Sequence, residues 1–467
     1  MTHIPQPAVY RGETAITRLG EAFYDVVEAA DFPQTILRFR NDRWAKAVGL
    51  DTLTDEQWLR HFGRFEPLAG TLPRPLALRY HGHQFRVYNA DIGDGRGFLF
   101  AQLRDDRGRL LDLGTKGSGR TPYSRFGDGR LTLKGGVREV LATEMLEALG
   151  VETSKSFSLI ETGEALERGD EPSPTRSSVL VRLSHGHIRI GTFQRLAYFQ
   201  DAEAMRRLVD YCLDVYFGQP GGDDAPARLL AHVAGGAARL AASYIAAGFV
   251  HGVLNSDNIA VTTESFDYGP WRFTPYWDGA FTAAYFDHAG LYAFGRQPEA
   301  IHWDVLQLAA ALRLVAEDDA LTPALDGFPA AFADALRQTV LARLGVRPAE
   351  QERDRTLIAA IENALLAKEV TIDRFFFDWR GGKRRGTSPA DESYEAEPFA
   401  AFRAAIAGYD AAAALDHEYW SGATPCALHI DEVEAIWARI DEADDWSAFY
   451  AKVEDIRRMG EAMQGDA

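Results

Sequence analysis

An α+β protein of two lobes is what this sequence predicts, and three observations predict it. Strand-like segments crowd the first 200 residues, and helical periodicity takes over from about residue 198. The chain is also long and apolar enough, at 467 residues and 46% apolar content, to bury a large core in more than one unit. The expected division is a strand-rich lobe over 1–195 and a helical lobe over 196–467.

Residues 1–75 mix short amphipathic stretches with polar turns, closed by Pro73-Arg74-Pro75. The clearest strands are 97–103 and 110–116, joined by a turn at Arg104-Asp105-Asp106-Arg107-Gly108. In the second strand Asp112, Gly114 and Lys116 share one face, and Leu111 and Leu113 the other. A Gly-rich stretch over 117–136 leads into a helix over 137–149. Val137, Leu141, Met145 and Leu149 form its apolar stripe, and Gly150 stops it. Residues 179–183 read as another strand. Helices follow over 227–247, ending at Gly248, and over 303–316, 329–344 and 354–367. Residues 380–397, with the basic run Lys383-Arg384-Arg385, read as a loose, solvated linker without a function. No repeat emerges beyond two copies of Gly-Asp-Gly-Arg, at 93–96 and 127–130.

Composition narrows the function. A net charge of −18 argues against general nucleic-acid or anionic-membrane binding, although phosphate can still bind a local basic pocket. Cys212 and Cys426 cannot build a disulfide framework or a multi-thiolate metal site. No apolar run is read as a membrane span, and Met1-Thr2-His3-Ile4-Pro5 does not read as a signal peptide, so a cytoplasmic protein is expected. Only seven of the 50 basic residues are Lys, so a Lys inside a patterned segment hints at a specific role.

The most informative segment runs from His251 to Asn258 and is followed by Asp267-Tyr268-Gly269. A kinase phosphate site reads H-x-D-x-x-x-x-N and then Asp-aromatic-Gly, with the first Asp as base and the Asn and last Asp on the metal. His251, Asn258 and Asp267 fit that pattern, but Val253 stands where the base should be. Valine cannot accept a proton. Asp257, beside Asn258, could serve as the base instead, or could be a loop cap.

Upstream, Lys116 at a strand end and Glu139 on the next helix match the strand-lysine and helix-glutamate pair of kinases, the alternative being a surface Lys and a solvated Glu. On the first reading Lys116 neutralises phosphate while contributing little to the core. Gly93, Gly95 and Arg96, then Gly117-Ser118-Gly119-Arg120, and Asp128-Gly129 offer flexible backbone beside guanidinium groups, a way to cradle phosphate that plain turns also show. Arg182 and Arg189 could grip a terminal phosphate or form surface salt bridges. His185 and His187 have no Cys or acidic cluster at ligand spacing, so no zinc is assigned to them.

Together these residues resemble the selenoprotein O family (SelO, also called YdiU), kinase-fold protein adenylyltransferases. The likeness runs over about 76–298, through His81-Gly82-His83-Gln84-Phe85, Gly93-Asp94-Gly95-Arg96 and the stretch from Lys116 to Arg125. It continues through Gly127-Asp128-Gly129-Arg130, Arg138-Glu139, Arg189-Ile190-Gly191-Thr192-Phe193, the His251 loop and Asp267-Tyr268-Gly269-Pro270. The resemblance implies a bilobal protein-kinase-like fold that binds ATP in an inverted orientation and transfers AMP to Ser, Thr or Tyr hydroxyls of protein substrates. It implies Asp257 as proton acceptor and Asn258 and Asp267 as ligands of Mg²⁺ or Mn²⁺. Gly93, Gly95, Arg96, Lys116, Asp128, Gly129, Arg182, Arg189 and Asp267 become nucleotide contacts, with Glu139 as the partner of Lys116. A monomer without nucleic-acid or membrane partners is expected.

Three departures stand out. Arg86 replaces the Gly that usually follows His-Gln-Phe, the C-terminal residues 463–467 hold no cysteine, and neither does Phe281-Thr282-Ala283-Ala284. A redox switch between those places is therefore not expected. A non-catalytic ATP-binding scaffold and a small-molecule phosphotransferase are the rival readings; Val253 favours the first and counts against the second.

Overall fold

The computed structural model describes residues 5–169, 171–412 and 414–464; residues 1–4, read above for a signal peptide, and the terminal 465–467 lie outside them. Among the described residues the N-terminal part builds a nine-stranded antiparallel sheet. Its main order is Tyr24–Val26, Leu76–Leu78, Leu99–Arg104, Leu110–Lys116, Thr175–Ser184, Lys155–Leu166, Ile36–Arg40. The remainder is mainly helical, so the α+β expectation holds.

Local chemistry explains the central hairpin. Arg104 pairs with Leu110, and the buried Asp105 carboxylate closes the turn by accepting from the backbone N–H groups of Arg107 and Arg109. The helix expected over 137–149 runs Leu133–Ala148 and starts earlier because Thr132 caps it, accepting from the Gly135 N–H at 3.1 Å. Gly136 lets this helix lie close on the sheet, since a Cβ there would meet Leu159 at 2.4 Å. The strand Lys155–Leu166 escaped the sequence reading. It is buried on both faces over most of its length and kinks at a register shift around Gly163, so no clean alternation marks it.

In the helical half, Ala225–Ala247 is the central helix and packs against Gln297–Leu312 and Phe328–Leu344. By length and composition it could cross a membrane, which corrects the reading that no run approaches a span. In this fold, however, 72% of its most apolar stretch is buried among its neighbours.

The basic run after residue 380 is not a loose linker. Arg380 is buried and donates to the carbonyls of Ala342 and Arg343, while Arg385 donates to the Phe377 carbonyl at 2.6 Å and lies over that ring. Arg384 covers Tyr394 and pairs with Asp391. Guanidinium groups can bond carbonyls and cover rings at once, so these arginines tie the segment down. The helices Ile430–Ala443 and Ser447–Gln464 fold back onto the first half: Arg457 grips Glu144 with two bonds of 2.7 and 2.8 Å, and Arg176 holds Asp444 at 2.7 Å.

Candidate active site

Gly93, Gly95, Arg96, Lys116, Asp128, Gly129, Arg182, Arg189, Asp257 and Asp267 line one cleft of about 680 Å³. Glu139 and Asn258 are not on its wall. Glu139 reaches it through Lys116, and Asn258 stands next to Asp257 with its amide nitrogen bonded to the Val253 carbonyl at 2.9 Å.

The cationic side is built by the sheet. Lys116 ends its strand opposite Leu180 and is buried, with Nζ paired to Glu139 and 2.7 Å from Asp267 Oδ1. The expectation that this lysine matters little to the core is therefore wrong: it is a buried cation shared by two carboxylates. Arg182 Nη1 approaches Asp267 at 3.4 Å. Burial alone would push the Asp267 carboxyl up, but Lys116, Arg182, Arg189 and Arg96 outweigh it and hold the group well below the usual carboxylate range. Asp267 itself sits at φ +64°, a left-handed backbone that turns it into the cleft.

Arg189 is buried between the rings of Tyr80 and Phe266, at 4.4 and 4.9 Å. Its guanidinium donates to Asp94 Oδ1 at 3.1 Å and to the Asp257 carbonyl at 3.0 Å. Asp128 accepts from the Arg130 N–H and pairs with Arg168 at 2.8 Å. Gly129, at φ +71°, lies so close to Gly119 that a Cβ would stand 2.2 Å from its carbonyl oxygen.

The other side is the loop that leaves the central helix at Gly248. His251 is buried and bridges the two motif segments: Nδ1 accepts from the Val253 N–H, and Nε2 donates to the Phe266 carbonyl at 3.0 Å. Val253 contributes only backbone to these contacts. Asp257 is buried, with the bare Cα of Gly82 against it; a Cβ on Gly82 would lie 3.0 Å from Asp257 Cβ. Burial, reinforced by the charge of Asp267 and opposed by Arg189, pushes its carboxyl up to about 6. Its Oδ1 has no hydrogen-bond partner among the described residues.

Two residues at the kinase metal positions offer oxygen. Asn258 commits its amide nitrogen to Val253 and so presents Oδ1, and Asp267 is held ionised. Among the described residues no group of three or more His, Cys, Asp or Glu forms a denser cluster. Two protein oxygens fit a Mg²⁺ or Mn²⁺ that takes its remaining ligands from substrate phosphates.

Sequence reasoning missed several parts of this site. Tyr80 and Phe266 carry no signal of their own, since stacking on Arg189 is a long-range event. Asp94 and Gln84 lie inside quoted motifs, and both turn out to line the cleft, Asp94 as the partner of Arg189 and Gln84 facing the Asp257 carboxyl.

A strand lysine paired to a helix glutamate, an Asp-Tyr-Gly carboxylate beside it and a His-anchored loop opposite bring together the parts of a kinase-type phosphate site. The chain belongs to the SelO family: the family described as "Protein adenylyltransferase SelO" matches residues 9–457. It is 44% identical over 463 residues to the protein nucleotidyltransferase YdiU of Gloeobacter violaceus, covering 96% of this chain and 95% of that one. With the protein of the same description from Synechococcus elongatus it shares 52% over 336 residues, 71% of this chain and 68% of that one. Among solved structures, the kinase domain of a Toxoplasma gondii rhoptry antigen is 12% identical over 62% of this chain and 83% of that one. The TM-score is 0.29.

Proposed function

We propose that this protein transfers AMP from ATP to Ser, Thr or Tyr hydroxyls of protein substrates. The observation that carries the reading is the pair of positions in the catalytic loop. Val253 replaces a kinase base, while Asp257, four residues on, is a cleft-lining carboxyl with an unpartnered oxygen and an affinity for protons raised to about 6. Such a group can take a proton near neutral pH. Arg182 and Arg189 would hold the terminal phosphates, leaving the α-phosphorus near Asp257. The acceptor oxygen bonds to that phosphorus, its proton passes to Asp257, the α–β bridging P–O bond breaks, and pyrophosphate departs.

Asn258 and Asp267 would hold Mg²⁺ or Mn²⁺, which when bound neutralises phosphate charge. Lys116, fixed by Glu139, adds a second cation there. In this reading the chain works as a cytoplasmic monomer on protein acceptors, with no nucleic acid or membrane involved.

ATP labelled separately at the α and γ positions tests it. Label from the α position should arrive on protein with a mass gain of one AMP and release of pyrophosphate. Label from the γ position would restore a kinase reading, and no transfer despite tight ATP binding would favour a scaffold.

A further inference from the structure

We infer that His187, held by Asp112, is a positioning residue that sets the guanidinium of Arg182 for the nucleotide. The inference rests on the reading of Arg182 as a phosphate-binding residue. Neither His187 nor Asp112 is on the cleft wall, and both are buried. The imidazole nevertheless reaches Arg182: the guanidinium Nε–H donates to His187 Nε2 at 3.3 Å. That nitrogen must then carry a lone pair, so the proton sits on Nδ1, which lies 3.4 Å from Asp112 Oδ2 and 3.2 Å from Ser184 Oγ.

Asp112 is itself fixed from two sides. Its Oδ2 accepts from the His187 backbone N–H at 2.8 Å, and its Oδ1 from Gln102 Nε2 at 2.7 Å. Gln102 in turn accepts from the Ile16 N–H at 2.7 Å. The ring needs room to reach Arg182, and the sheet register provides it. Gly114 is the residue paired with Arg182, and a Cβ there would stand 2.2 Å from His187 Nε2.

Arg182 is thereby held on three sides: Nε by His187, one face by the Phe266 ring at 5.2 Å, and Nη1 by Asp267. The third hold is exchangeable, because a metal on Asp267 would draw that carboxylate away. His187 and the Phe266 ring would remain, and of these His187 supplies the hydrogen bond that fixes the guanidinium's direction. An arginine kept in one rotamer loses less freedom on gripping phosphate, which is where the gain in affinity would come from.

A double-variant cycle on ATP affinity, read by calorimetry, tests this with the full-length protein. Arg182→Met and His187→Phe should each weaken ATP binding roughly tenfold, and the double variant should bind no more weakly than Arg182→Met alone. His187→Gln, whose amide can still accept from Arg182 and donate to Asp112, should restore most of the affinity. Should the phenylalanine variant fail to fold, His187→Asn, too short to reach both partners, takes its place in the cycle. A loss that persists in full on the Arg182→Met background would overturn the inference, because His187 would then act on the fold at large. Wild-type affinity in His187→Phe would overturn it as well. Unchanged affinity in Arg182→Met would instead remove Arg182 from the phosphate site and fail the underlying reading.

Discussion

The loop at 251–258 and the segment at 266–270 each bring one aspartate to the same cleft, and His251 ties the two together. Asp267 is surrounded by cations and held ionised; Asp257 is buried with an oxygen left over, and its carboxyl is pushed up to about 6. Two carboxylates driven in opposite directions by their surroundings mark a division of labour, one fit to hold a cation and one fit to take a proton. Identity of side chain does not decide between them. The neighbours do.

The largest effect expected from breaking this arrangement is on the cationic side. Lys116→Met and Asp267→Ala should each abolish AMP transfer, and Asp267→Ala should also remove the metal dependence of nucleotide binding measured by calorimetry. Lys116→Met leaves Glu139 buried without its cation, so its thermal midpoint should fall too, in line with the roughly 3–5 kcal/mol cost of breaking a buried pair. Persistent transfer in a folded Lys116→Met protein would take that lysine out of the site.

A smaller effect sharpens the contrast, because the two aspartates should respond with opposite signs. Asp257 binds its proton more tightly in the folded state, so its ionisation there costs stability. Below about pH 4 the carboxyl is protonated whether the chain is folded or not, and no penalty exists; it grows through the range up to about 6 and is full above that. The shift from 3.8 to about 6 corresponds to about 3 kcal/mol. Asp257→Asn should therefore raise the thermal midpoint at pH 7.5, without metal or nucleotide, and the gain should fade at pH 4. Asp267→Asn should lower it at pH 7.5, since Lys116 and Arg182 lose a carboxylate. Equal shifts of the same sign would show that the two environments do not differ.

The smallest effect concerns redox. Cys212 is fully buried on the helix Ala202–Phe217 and Cys426 is half-buried; both are free thiols. Burial raises both thiol pKa values, Cys426 to about 11, which leaves little reactive thiolate. Dithiothreitol should change the transfer rate little; a large reversible activation would contradict this.

Much of the site was legible in the sequence because its parts are local. Lys116 closes a strand with a readable turn before it, Glu139 follows in the next helix, and Asn258 and Asp267 keep a fixed spacing from His251. What was not legible depends on distant pairing. Tyr80 and Phe266 meet Arg189 only once the sheet and the loop are folded together. The strand Lys155–Leu166 is covered on both faces and lacks alternation, and the run Arg384-Arg385 looks solvated until the rings of Tyr394 and Phe377 are placed beneath it. The sequence offers His187 only as a candidate metal ligand; its contact with Arg182 depends on Gly114 of a neighbouring strand.

The central claim is that Asp257 takes the proton while the opposite wall does the binding. Single-turnover transfer at saturating ATP and metal, in Asp257→Asn against the unmodified protein, tests it most directly. The rate should fall by roughly 10²–10⁴-fold while the calorimetric affinity for ATP stays unchanged. A normal rate in Asp257→Asn would contradict the account, since the hydroxyl would then be activated by some other group.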